Sequence, residues 1–149
     1  MGLFDWLFGG AAKTRIGRPQ ISDIAAPIAG DDGTPATKNQ IDAIERLVCE
    51  PPLGNLTYQQ AAAIMSARSY SKFVMDDALS KPGIRHPRRP VYLAVQANLI
   101  AFIVRDPQAR AYVCKWSDKN FESGNERPPP KNAHWQQAMA FISPVIAKL

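Results

Sequence analysis

At 149 residues, with 46% apolar and 21% charged content, the chain has the composition of one ordinary globular domain and not that of a disordered or fibrous protein. Its net charge of +5 is uneven: residues 1–80 carry seven Lys or Arg against nine Asp or Glu, a net −2, and residues 81–149 carry eleven against four, a net +7. Two cysteines, Cys49 and Cys114, are too few for a disulfide framework, and the start lacks the basic, apolar and small-residue regions of a secretory leader, so a reducing, cytoplasmic setting is expected.

The opening MGLFDWLF crowds Leu3, Phe4, Trp6, Leu7 and Phe8 into one or two helical turns ahead of Gly9 and Gly10. Three uses compete for such a tract: a foot on a membrane surface, a docking peptide for a partner, and a lid on the protein's own core. The tract holds no Lys or Arg to meet anionic lipid, and Trp6 stands where a myristoylation signal requires Ser or Thr. Gly, Ala, Pro and Asp dominate Gly9 to Thr34, which reads as a flexible linker that Ile21, Ile24 and Ile28 can pin locally. Residues 1–34 are therefore expected to form an N-terminal arm, and residues 35–149 a single helical domain.

Thr37-Lys-Asn-Gln40 has the spacing of a capping box and opens a helix with an apolar stripe at Ile41, Ile44, Leu47 and Val48, closing near Glu50 before Pro51 and Pro52. A second box, Thr57-Tyr-Gln-Gln60, opens an Ala-rich helix with Ala61, Ile64, Met65, Val74 and Met75 facing inward. Its Ser-rich stretch, Ser66 to Ser71, is expected to fray or bend it, and it should stop by Ser80. Two capped helices on a short turn predict a helical hairpin over residues 35–80.

The pattern ATKNQIDAIERL, a turn, then LTYQQAAAIM resembles a short two-helix module, broadly ATxxQixxIxxL followed by LTxxqAsxxI, that recurs in bacterial and phage proteins, several of them connected with DNA. The resemblance covers residues 35–67 and consists of helix caps and apolar spacing. Ala62 and Ala63 stand where the module usually carries Ser. It implies a bacterial or mobile-element setting and transfers no functional residue.

Lys81-Pro-Gly-Ile-Arg85-His86-Pro-Arg88-Arg89-Pro90 follows as a basic, Pro-rich loop. Its three prolines hold the backbone extended, so Lys81, Arg85, His86, Arg88 and Arg89 should project outward, and guanidinium forks match phosphate oxygens. The competing reading is a solvated connector whose arginines pair with Asp76 or Asp77.

The next tract, Val91 to Val104, is 14 apolar-rich residues. As a helix it rises only about 21 Å, against about 30 Å for a bilayer core, so it is expected to be a buried element and not a membrane span. A helix is favoured over a β-hairpin turning near Ala97-Asn98, because no Gly marks a turn. Asp106-Pro107 then reads as a cap and first helical residue for a helix through Tyr112, Val113 and Trp116. After a polar loop from Glu122 to Lys131, Asn132 caps a final helix bearing Trp135, Met139, Ile142 and Ile146.

Trp116 and Trp135, with Phe102, Tyr112, Phe121 and Phe141, fall at core-compatible positions, the alternative being a base-stacking platform. Lys115 and Lys119 form a basic edge beside Trp116. Cys49, His86, Cys114 and His134 stand singly in different elements, which is not the paired spacing of structural zinc. With no nucleophile elbow and no glycine-rich phosphate loop, no metal, cofactor or catalytic centre is expected.

The expectation is a mainly α protein: a small non-catalytic accessory factor of a bacterium or mobile element. It would bind DNA or RNA through backbone phosphates, using Lys81, Arg85, His86, Arg88, Arg89, Lys115 and Lys119. The alternative is a protein-interaction module, an adaptor or inhibitor of a host or phage system, that grips a protein partner through the Arg-rich loop or through Leu3, Phe4, Trp6, Leu7 and Phe8.

Overall fold

The computed structural model describes residues 16–51 and 53–149, which form a mainly helical body. In chain order the helices are α1 (Ile21–Ile24), α2 (Lys38–Leu47), α3 (Tyr58–Leu79), α4 (Arg89–Arg105), α5 (Pro107–Ser123) and α6 (Ala133–Ala147). Among the described residues there is no sheet, only an isolated bridge between Pro35 and Thr57. No helix among them is long and apolar enough to cross a membrane.

Local chemistry sets the helix starts. Thr37 and Thr57 each accept a bond from the backbone N–H three residues on, and Gln40 and Gln60 accept from the threonine N–H in return. Asp106 caps α5 by accepting from the Gln108 N–H, with Pro107 as its first residue. Asn132 caps α6 through the Trp135 N–H. At the other end of α5, Gly124 adopts φ 69°, a left-handed stop that a side chain would resist.

The cap of α3 does more than start a helix. The Thr57 hydroxyl also donates to the Asp31 carboxylate, tying the hairpin turn to the segment before α2. Thr57→Ala removes both bonds and is expected to lower stability by about 1–2 kcal/mol, whereas Thr57→Ser should keep it within about 0.5 kcal/mol of the parent. Chemical denaturation checks this, and an unchanged midpoint for the Ala variant contradicts it.

α3 is the central element and packs against α2, α4, α5 and α6. It runs unbroken through the Ser-rich stretch where fraying was expected: Ser69 and Ser71 donate back to the Met65 and Arg68 carbonyls, so the hydroxyls are satisfied inside the helix. Small residues, Ala61, Ala63, Ala67 and Ala78, leave room for neighbouring helices, and Ile64, Tyr70, Val74 and Met75 fill the interior.

The tract 91–104 lies within one helix, α4, and not a hairpin. Every residue from Ala94 to Ala101 is buried, including two polar ones. Gln96 donates to the Arg68 carbonyl and the Ser71 hydroxyl, which locks α4 to α3. Asn98 donates to the Ala94 and Gly17 carbonyls, at 2.8 and 2.9 Å. That second bond reaches 81 residues back along the chain and explains how the stretch read as a linker is held.

From Ile16 onward that stretch is pinned to the helices. Ile24 is buried, and Ile16 and Ile21 pack against the core. Arg105 bonds the Asp23 carboxylate at 2.6 Å and the Asp23 carbonyl at 3.1 Å. Arg18 reaches Glu50 and the Glu45 and Arg46 carbonyls at the end of α2. The isoleucines were visible in the sequence as pins; their polar partners, far away in the chain, were not.

Burial also shifts titrations. The Cys49 thiol is fully buried, and burial pushes its pKa up to about 11 against the pull of the Arg18 charge. Between the unfolded thiol pKa of about 8.5–9 and this value, the folded chain holds a proton that the unfolded chain has lost, so stability falls as pH rises through that window. Cys114, Tyr70 and Tyr92 are pushed upward by burial too, and each adds to the same trend. Cys49→Ala is expected to show a smaller drop in urea midpoint between about pH 8 and pH 10.5 than the parent; an equal drop contradicts the assignment.

Candidate polyanion-binding surface

The basic loop between α3 and α4 is not extended throughout, as its prolines led one to expect: Pro82 lies in a turn closed by the Ile84 N–H on the Lys81 carbonyl, Pro90 lies in the first turn of α4, and only residues 84–88 between them are free of turn and helix. It turns at Gly83, φ 78°, where a left-handed conformation is needed. Ile84 and the half-buried Pro87 hold it against the body, while Lys81, Arg85, His86, Arg88 and Arg89 are all exposed. Arg88 is the N-cap of α4, and Arg89 begins the helix ahead of Pro90.

This placement is electrostatically unfavourable for the fold alone. A helix N-terminus carries partial positive charge and prefers acidic neighbours. α4 has no acidic residue in its first turn, no side-chain cap bond, and four basic residues, Arg85, His86, Arg88 and Arg89, at or before its start. The neutralising carboxylates lie elsewhere. Asp77 pairs with Lys81 at 3.7 Å and Lys131 at 3.6 Å, not with the loop arginines. Among the described residues no carboxylate pairs with Arg85, Arg88 or Arg89.

Arg89 joins the loop to a cleft of about 330 Å³ between α3 and α4, lined by Arg68, Ser69, Lys72, Arg89, Tyr92, Leu93, Gln96 and Glu126. Arg68 and Lys72 share one face of α3 at i, i+4 spacing and, like Arg89, have no carboxylate partner among the described residues. The Arg68 Nε is buried without an acceptor. Burial raises the Tyr92 phenol pKa, and the Asp76 charge raises it further, against the opposing charges of Arg68 and Arg89. Glu126 is the single carboxylate lining the cleft.

Arg85, His86 and Arg88 line a neighbouring recess with Ile16, Pro87, Val91 and Leu149. The structure thus gathers Arg85, His86, Arg88 and Arg89 at one end of α4 and adds Arg68, Lys72 and Tyr92, which stand apart from them in the sequence or outside the basic run. The i, i+4 spacing of Arg68 and Lys72 was the available signal, obscured by the surrounding serines.

Lys115 and Lys119 are exposed on α5 but line no cleft with a loop arginine among the described residues. Trp116 between them is half-buried, its ring edge-to-face with Tyr70 at 5.4 Å and with Phe73 at 5.9 Å. Trp135 is buried, and Phe102 stacks on Phe141. Phe121 departs from the core assignment: it is 89% exposed near the end of α5. Leu3, Phe4, Trp6, Leu7 and Phe8 lie outside the described residues.

The remaining candidate ligands are scattered. His86 is exposed in the loop, whereas His134 is half-buried and stacks on Tyr112 at 4.6 Å. Among the described residues no three His, Cys, Asp or Glu side chains come together in a way that could hold a metal ion. What the surface can do chemically is accept oxyanions, through guanidinium and ammonium groups that have no carboxylate partner among the described residues. Comparison with known proteins finds no matching family, no matching curated protein and no matching solved structure, so the chemistry of this surface is read from its own residues.

Proposed function

We propose that the protein binds nucleic acid through its phosphate backbone, with no catalytic role. The observation that carries this reading is the set of cations that have no carboxylate partner among the described residues, Arg68, Lys72, Arg85, Arg88 and Arg89, arranged around the start of α4. Like charges held at the positive end of a helix dipole repel one another and the helix, and a phosphate chain relieves both effects. The net charge of +5 adds a longer-range attraction of the whole protein for a polyanion.

Fluorescence anisotropy with labelled duplex DNA, single-stranded DNA and RNA at about 50 and 200 mM salt tests the reading. Binding that weakens steeply with salt is the expected result, because each phosphate contact releases counterion. No binding at low salt overturns it.

One observation favours the second reading, a protein-interaction module. A groove of about 500 Å³ between α3 and α5 is lined by apolar and small groups including Ile28, Ala62, Ala63, Pro107 and Ala111, with Tyr58 48% exposed at its edge. Co-purification from a host lysate at high salt, which suppresses polyanion binding, distinguishes the two.

A further inference from the structure

We infer that the strand accommodated here is single-stranded, its phosphates in the α3–α4 cleft and one unstacked base on Phe121. The inference rests on the nucleic-acid reading above and adds the form of the ligand. Its basis is a juxtaposition: the cation-lined cleft shares Ser69 and Glu126 with a second cleft, of about 400 Å³, whose other walls are Trp116, Ser117, Asn120, Phe121 and Gly124. Phosphate-binding and aromatic surfaces are therefore continuous.

Phe121 is 89% exposed, although it belongs to a regular helix whose stop is built beside it: the Gly124 N–H donates to the Phe121 carbonyl at 3.3 Å. Its ring gains almost nothing from the protein interior and is presented on a fixed support. Strand-binding proteins combine these two elements, a basic groove along the backbone and an aromatic face for a base. A duplex keeps its bases stacked on one another, so an isolated exposed ring can stack only on a base of a single strand or an open end. Ser117 and the Asn120 side-chain oxygen in the same cleft supply polar groups for a base edge, the Asn120 amide nitrogen being held by the Arg127 carbonyl at 3.0 Å.

Glu126 fixes the order of the groups. It stands where the two clefts meet, so a phosphate there meets like charge, and the strand must cross that edge with its base or sugar. Removing this carboxylate therefore strengthens binding, an effect opposite in sign to the loss of a contact residue.

The test uses the full chain with a labelled oligo(dT) and a duplex of the same length, measured by anisotropy. Phe121→Ala is expected to weaken oligo(dT) binding about 5- to 150-fold, the usual worth of one stacked base, while leaving duplex affinity and the salt slope unchanged; Phe121→Trp should restore it. Glu126→Gln should tighten oligo(dT) binding about 2- to 5-fold at low salt. Phe121 is exposed, so circular dichroism of the variant should match the parent. Equal effects on duplex and single strand, or none on either, overturn the inference and leave the phosphate reading standing. Failure of the parent to bind either oligonucleotide at low salt overturns the phosphate reading itself.

Discussion

Truncating Tyr70 to Ala is expected to destabilise the fold by about 3–5 kcal/mol, a large part of the 5–15 kcal/mol that holds an ordinary domain together. The ring is 1% exposed and meets three others edge-on: Tyr112 at 6.4 Å, Trp116 at 5.4 Å and Trp135 at 6.0 Å. These partners sit on α5 and α6, so truncation opens a cavity where three helices converge, and flanking aromatic rings are too stiff to collapse into it. The phenol hydroxyl adds nothing to this. It is buried without a partner, and burial holds its pKa far above the ordinary tyrosine value. Tyr70→Phe therefore removes an unsatisfied group and is expected to equal or exceed the parent in stability, by up to about 1 kcal/mol. Urea denaturation of the two variants separates packing from polarity; a Tyr70→Ala loss under about 1 kcal/mol contradicts the central role given to this ring.

The second large effect is on binding. Replacing Arg85, Arg88 and Arg89 together with Ala should flatten the slope of log affinity against log salt by up to about 2.7 on duplex DNA and about 2.1 on a single strand, at roughly 0.9 and 0.7 per phosphate contact. If counterion release dominates, the duplex figure corresponds to about 500-fold at 0.1 M salt, larger than the expected loss from Phe121. The same variant should melt at an unchanged or slightly higher temperature. All three side chains are exposed, and their removal relieves repulsion at the positive end of α4. Binding lost while stability is kept marks residues placed for a ligand. A wild-type salt slope in the triple variant identifies the loop as a connector.

Short-range chemistry made much of this architecture legible. Thr37, Thr57, Asp106 and Asn132 each act on a backbone group two or three residues away, so caps and helix starts could be read from neighbours alone. α4 was separable from a hairpin because no Gly or Asn-Gly marks a turn within it. Effects spanning the chain were hidden. Nothing local announces that Asn98 holds the Gly17 carbonyl or that Arg105 pairs with Asp23, and these bonds turn an apparent linker into part of the body.

The binding surface divides in the same way. Arg85, Arg88 and Arg89 stood out as a run with prolines. Arg68 and Lys72 join them only through the register of α3 against α4, fixed by the Gln96 bonds to the Arg68 carbonyl and Ser71. Phe121 was misplaced because its spacing along α5 allowed a core position, while the packing of α5 on α3 turns Trp116 inward and leaves Phe121 in solvent.

The salt dependence of single-strand affinity for the intact chain bears most directly on the phosphate-binding reading. With Arg68, Lys72, Arg85, Arg88 and Arg89 each engaging one phosphate, log affinity for oligo(dT) is expected to fall against log salt with a slope of about −3.5, from roughly 0.7 per contact. A slope near zero, or no binding at low salt, contradicts the assignment of this surface to a phosphate backbone.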